Sequence, residues 1–238
     1  MAATLRAARR HHIGRSPDPA TAAHPRFPAV LAIEFEALPD QSVESVRRLR
    51  RAWSARLRSA PADQVIALAE ALLPRHRWVA YELVHHHSGA LAALDLRLVE
   101  RLGRGIDSWG AVDAFGRYIS GPAWQRGQIP DEAVHGWAGS PDRWWRRAAL
   151  VSSVPLNLRA AGGTGDTART LAVCERLAAD RDDMVVKALS WALRELIVHD
   201  PDAVREFLAR HDLAARVRRE VTNKLQTGLK QPRDRPAP

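Results

Sequence analysis

Cysteine, lysine and long apolar runs are all scarce in this chain. Cys174 is the only cysteine among 238 residues, so no intramolecular disulfide can form and no cysteine-rich zinc site fits. No stretch approaches the roughly 18 apolar residues that a membrane helix needs. The first residues, Met1 to Arg10, are basic, but no secretory apolar run follows them. These absences lead to the expectation of a cytoplasmic, membrane-free chain. Strand patterning is missing too, since Val and Ile are interspersed with Ala, Leu and Arg at helical rather than alternating spacing. Neither a Gly-x-Ser-x-Gly elbow nor a His-Glu-x-x-His motif occurs.

What the chain does have is positive charge. Its formal net charge is +9, and only Lys187, Lys224 and Lys230 are lysines, so nearly all of it is arginine. Arginine forks match phosphate and carboxylate geometry, and a basic balance favours polyanionic partners. A biased coding composition also enriches arginine and alanine, so charge alone selects no partner.

Residues 1–40 hold Pro17, Pro19, Pro25, Pro28 and Pro39. Proline at that density favours an extended, mobile extension, although Val30-Leu31-Ala32-Ile33 with Phe35 could dock on a folded body. Residues 41–230 read as a helical domain and 231–238 as a C-terminal tail. Val43, Val46, Leu49, Trp53 and Leu57 recur at the spacing of one helical face, with Arg47, Arg48, Arg50 and Arg51 largely off it. Pro61 suits a first helical turn, and Pro74 is expected to end that helix. Further helices are expected near 77–87, 91–102, 108–120, 130–138, 141–154, 166–179, 183–198, 201–210 and 213–229. Ser140-Pro141 and Asp200-Pro201 each pair a capping side chain with a proline at the first helical position. Gly162 to Gly165 reads as a connection, capped by Asp166 or Thr164. From residue 164 the helices pair at roughly 35 residues, which suits an all-α solenoid of HEAT-like pairs with a concave basic surface.

Helical wheels at 100° per residue separate inner from outer faces. In 183–198, Val185, Leu189, Ala192, Leu193 and Leu196 gather on one side, and Lys187, Trp191 and Arg194 on the other. Trp191 is then either part of a binding surface or packed against a neighbouring helix. In 108–120, Trp109, Asp113, Gly116 and Ser120 share a face, with Arg117 at its edge. Gly116 removes bulk beside the acid, so a partner could come close. Asp113 is either a site carboxylate or half of a structural pair with an arginine. In 141–154, Arg147 falls near Leu150, Val151 and Val154 while Arg146 lies away from them, and the wheel leaves open which one reaches a ligand. One of Trp144 and Trp145 is expected in the core. His85-His86-His87 points three ways on a helix and makes a poor metal site.

Three blocks carry a family resemblance. They are Asp107-Ser108-Trp109-Gly110-Ala111-Val112-Asp113, then Arg143-Trp144-Trp145-Arg146-Arg147-Ala148-Ala149-Leu150-Val151, then Val186-Lys187-Ala188-Leu189-Ser190-Trp191-Ala192-Leu193-Arg194-Glu195. The chain resembles the AlkD-like DNA alkylation repair family, DNA glycosylases built from HEAT-like helix pairs, over roughly residues 41–230. The resemblance implies that Trp109 and Trp191 flank the damaged nucleotide and that Asp113 is the catalytic carboxylate. It implies that Arg147 contacts the DNA backbone, with Arg146 still in contention. Lys187, Arg194 and Arg117 would add phosphate contacts. Gly110 stands where the family usually has an acid, and Ser108 also departs from the pattern. The implied activity is removal of cationic N3- or N7-alkylated purines from double-stranded DNA by a nucleoid-associated monomer, with no cofactor and no metal. Two other readings are a catalytically silent DNA-binding member and a solenoid scaffold for acidic proteins.

Overall fold

The computed structural model describes residues 27–38, 40 and 42–230, and within them only helices and connections occur. In chain order these are α1 Phe27–Glu36, α2 Val43–Arg56, α3 Ala62–His85, α4 Ser88–Ala92, α5 Leu96–Gly103, α6 Trp109–Phe115 and α7 Gly121–Gln125. They continue with α8 Asp131–Ala138, α9 Arg143–Asn157, α10 Thr167–Arg176, α11 Asp183–Leu196, α12 Pro201–Arg210 and α13 Ala215–Thr227. A π-helical turn, Gly116–Ser120, joins α6 to α7. None of these helices is long and apolar enough to cross a membrane.

The starts of these helices follow side-chain chemistry. Asp95, Asp142, Asp166, Asp182 and Asp200 each accept a backbone N–H of the helix they precede, satisfying a donor that the first turn leaves unpaired. Asp200 caps α12 ahead of Pro201, as expected. Before α9 the cap falls on Asp142 instead, because the Ser140 hydroxyl is engaged by the Asp142 amide at 3.1 Å. Pro74 does not end its helix: α3 runs through it, with a kink at His76 (φ −134°, ψ 47°).

The N-terminal extension expected over 1–40 contains a docked helix from Phe27 onward. In α1, Leu31 is fully buried. Glu34 accepts from the Trp53 indole at 2.7 Å, and Phe35 stacks on His76 at 4.4 Å. Pro28 sits in the first turn, where a missing N–H costs nothing. The prolines before it, residues 1–26, and the tail expected over 231–238 lie outside the described residues.

The helices stack in two rows. α3, α6, α9, α11 and α13 contact one another in succession, and α8, α10 and α12 pack behind α9 and α11. The core between them holds Trp53, Tyr81, Phe115, Trp124 and Phe207, and Trp145 packs edge-on to Phe115 at 5.9 Å beside Trp137 at 5.3 Å. Polar links join each unit to the next. Arg50–Glu82, Arg101–Glu70, Trp137–Glu100, Arg146–Asp180, Arg147–Asp113 and Arg181–Asp212 all span between 31 and 37 residues. That interval is the repeat of an all-α solenoid, in which each unit contacts chiefly its neighbours.

The π turn changes the facing of the α6 segment. An i→i+5 turn rotates the residues after it relative to an unbroken α-helix. Ser120 is consequently buried, its hydroxyl 2.6 Å from that of Ser152 on α9. Gly116 is buried too, and a Cβ there would lie 2.5 Å from Val151 Cγ1. The space that Gly116 leaves is therefore filled by α9 rather than open to a ligand.

Candidate functional site

Trp109 opens α6 and is 62% exposed, the most exposed large apolar side chain among the described residues. One turn on, Asp113 points towards α9. Arg147 meets it there with a two-pronged interaction: Nε donates to Oδ1 and Nη2 to Oδ2, both at 2.9 Å. The third guanidinium nitrogen donates to the Met184 carbonyl in the first turn of α11. One arginine thus ties three successive helices of the inner row together. Its side chain is 6% exposed and that of Asp113 22%. Burial pushes the Asp113 carboxyl above its ordinary value, while the Arg147 hydrogen bonds and charge pull it back. A permanently charged guanidinium at contact distance keeps the acid ionised at neutral pH.

Arg147 also lines an open groove of about 500 Å³, whose walls include Trp109, Met184, Lys187, Trp191, Arg194, Arg216 and Lys230. The two tryptophans, 82 positions apart in sequence numbering, therefore share one cavity. Trp191 is half-buried against the core and donates its indole N–H to Glu195 at 3.0 Å. Both readings of that residue hold at once: one part of the ring packs and another faces the groove. Arg194 is held by the Ser190 carbonyl and hydroxyl, at 3.1 and 3.2 Å. Desolvation lowers its pKa, with Glu220 and Glu195 opposing. Asp183 faces both Lys187 and Arg216, and the Lys187 hydrogen bond is the main cause of its lowered pKa.

Sequence reading missed Met184, Arg216 and Lys230. Met184 offers no chemical signal, since it contributes its backbone to Arg147. Arg216 precedes Glu220 by four residues on α13 and bonds to it at 3.0 Å, a spacing that a wheel of α13 could have found. Two expected residues lie elsewhere. Arg146 is held away from the groove by Asp180 at 2.8 Å and by the Ser140 and Pro141 carbonyls. Arg117 is exposed in the π turn, with its guanidinium 5.8 Å from the Tyr118 ring. Of the three histidines, His85 contacts the Tyr118 carbonyl at 3.2 Å, and burial, then His86, depresses its pKa to about 4. His87 caps α4.

Fold and site together define a helical-repeat protein with a cationic, tryptophan-walled groove above a buried acid–arginine pair. The family model described as DNA alkylation repair enzyme matches residues 41–225. The chain belongs to that family, and so stands among enzymes that repair DNA alkylation damage. No curated protein matches it significantly.

Proposed function

We propose that the protein is a DNA glycosylase that releases cationic N3- or N7-alkylated purines from double-stranded DNA. The observation supporting this most strongly is the convergence of Trp109, Trp191 and Arg147 on one groove, with Asp113 fixed behind Arg147. Alkylation at N3 or N7 gives the purine a positive charge and weakens its bond to deoxyribose. Indole faces attract such a cation, by about 0.5–2 kcal/mol each. Lys187, Arg194 and Arg216 hold the flanking phosphates and supply affinity without base identity.

The chemistry asked of the protein is small. The C1′–N bond breaks, its electron pair leaves with the base and neutralises it, and positive charge develops on the sugar. Asp113 offsets that charge electrostatically from a position already set by Arg147, so little reorganisation accompanies the step. Arg147 occupies two of the roughly four acceptor positions of a carboxylate. The others can orient the water that adds to C1′, whose surplus proton passes to solvent. An open groove of this kind selects lesions by charge and lability rather than by base-edge contacts. It tolerates bulky adducts and leaves neutral lesions such as uracil in place.

A second reading, a DNA-binding protein without catalysis, is favoured by one specific observation: both Asp113 oxygens are engaged by Arg147. Release of N7-methylguanine from methylated duplex DNA separates the two. Glycosylase action requires release that depends on Asp113, whereas silent binding gives salt-sensitive affinity and no free base.

A further inference from the structure

A second basic cavity lies at the other end of the inner row. It measures about 320 Å³ and is lined by Arg50, Arg51, Ser54, Arg58, His86 and His87, among others. Its charge is uncompensated. Arg50 is neutralised by Glu82 at 2.7 Å, but Arg51 and Arg58 are exposed and form no ion pair among the described residues. The Ser54 hydroxyl oxygen is inaccessible to solvent and has no hydrogen-bond partner. An orphaned hydroxyl is costly unless something in the cavity bonds to it. His87 bonds the Ala60 carbonyl through Nε2 and accepts the Ala90 amide at Nδ1, which fixes it as the neutral Nε2–H tautomer. The remaining free donors are thus two guanidinium forks and a hydroxyl, the set that a tetrahedral oxyanion uses.

We infer that this cavity is a phosphate site for the DNA backbone, remote from the lesion groove. The inference rests on the DNA-binding reading above. Placement supports it. Glu82, which pairs with Arg50, also faces the Tyr118 hydroxyl, and His85 bonds the Tyr118 carbonyl. Tyr118 lies in the turn that follows Asp113. Cavity and groove therefore belong to one row, separated by the steps α3 to α6, α6 to α9 and α9 to α11. At about 8–10 Å per helix step, the separation is roughly 25–30 Å. This corresponds to about eight base pairs of duplex at roughly 3.4 Å each. Anchoring at both ends would hold the duplex across the inner row on either side of the lesion. His86 reports on occupancy: partial desolvation, then Arg50, lowers its pKa, and a bound anion opposes both.

The test uses undamaged 24-base-pair duplex and the full chain. Arg51→Glu/Arg58→Glu is compared with Arg97→Glu/Arg176→Glu, an equal charge change on exposed residues of α5 and α10. Both variants should melt like the wild type. Each lost phosphate contact reduces the salt slope of binding by about 0.9, so the cavity variant should lose about one to two units and at least tenfold in low-salt affinity. The control should lose markedly less. Inorganic phosphate, followed by the His86 ring resonances, forms the second arm. Phosphate that shifts His86 while the cavity variant keeps the control's salt slope assigns the cavity to a free anion and overturns the proposal. A wild type that binds duplex, with equal slopes in the two variants, overturns the cavity alone. Absence of any duplex binding overturns the proposed function with it.

Discussion

Replacing Arg147 by methionine tests the structural half of the site. The substitution keeps the apolar length of the side chain and removes every donor to Asp113 and Met184. Breaking a buried pair from one side costs about 3–5 kcal/mol, because a buried charge is left uncompensated. Asp113 retains 22% exposure, so water relieves part of that and the lower end, about 3 kcal/mol, applies. For a domain of this size the melting temperature should fall by about 6–12 °C. The same pair sets the sign of the pH dependence. Burial already raises the Asp113 carboxyl above 3.8, with Arg147 opposing, so removal of Arg147 raises it further. The folded variant then holds a proton that the unfolded chain gives up. The penalty is complete above the raised folded value and shrinks as pH falls through it. Thermal melts of wild type and Arg147→Met from pH 8 down to 4.5 should converge at the acid end. Adding Asp113→Asn should recover part of the loss at neutral pH, since no buried anion remains. A variant that melts like wild type, or whose deficit is the same at every pH, would refute the reasoning.

Trp109→Ala should leave stability within about 0.5 kcal/mol, as exposed positions usually do, yet lower the rate of base release and the affinity for alkylated duplex. Gly116→Ala drives a methyl group against Val151 and should cost about 1–3 kcal/mol in urea unfolding, as overpacking does. Gly110→Ala meets nothing within 4 Å and should instead gain roughly 0.5–1 kcal/mol through reduced chain entropy. Base release should fall with acidity at a pH above the ordinary aspartate range, because burial raises the Asp113 carboxyl and its charged form is the active one.

The inner face of α11 was legible from periodicity alone. Lys187, Trp191 and Arg194 fall on one side of a regular helix, and the structure puts all three on one groove. The α6 segment was legible only as far as Asp113. Beyond it the π turn breaks the 100° rule, so Gly116 and Ser120 turn inward against α9. The choice between Arg146 and Arg147 needed the partner helices: Asp180 takes one and Asp113 the other, each 34 residues away. The pairing of α1 with Trp53 and His76 was likewise invisible to local propensity, because a short apolar run among prolines reads as tail until its binding surface exists. Arg216 and Lys230 come from α13 and just after it, and converge with α6 only through the stacking of the whole row.

Single-turnover release of N7-methylguanine, with enzyme saturating over a methylated duplex, tests catalysis by the fixed carboxylate most directly. Wild-type protein should free the base, and Asp113→Asn should slow that step by about 100-fold or more while binding the duplex with similar affinity. Equal rates for the two proteins, or release by neither, would contradict it.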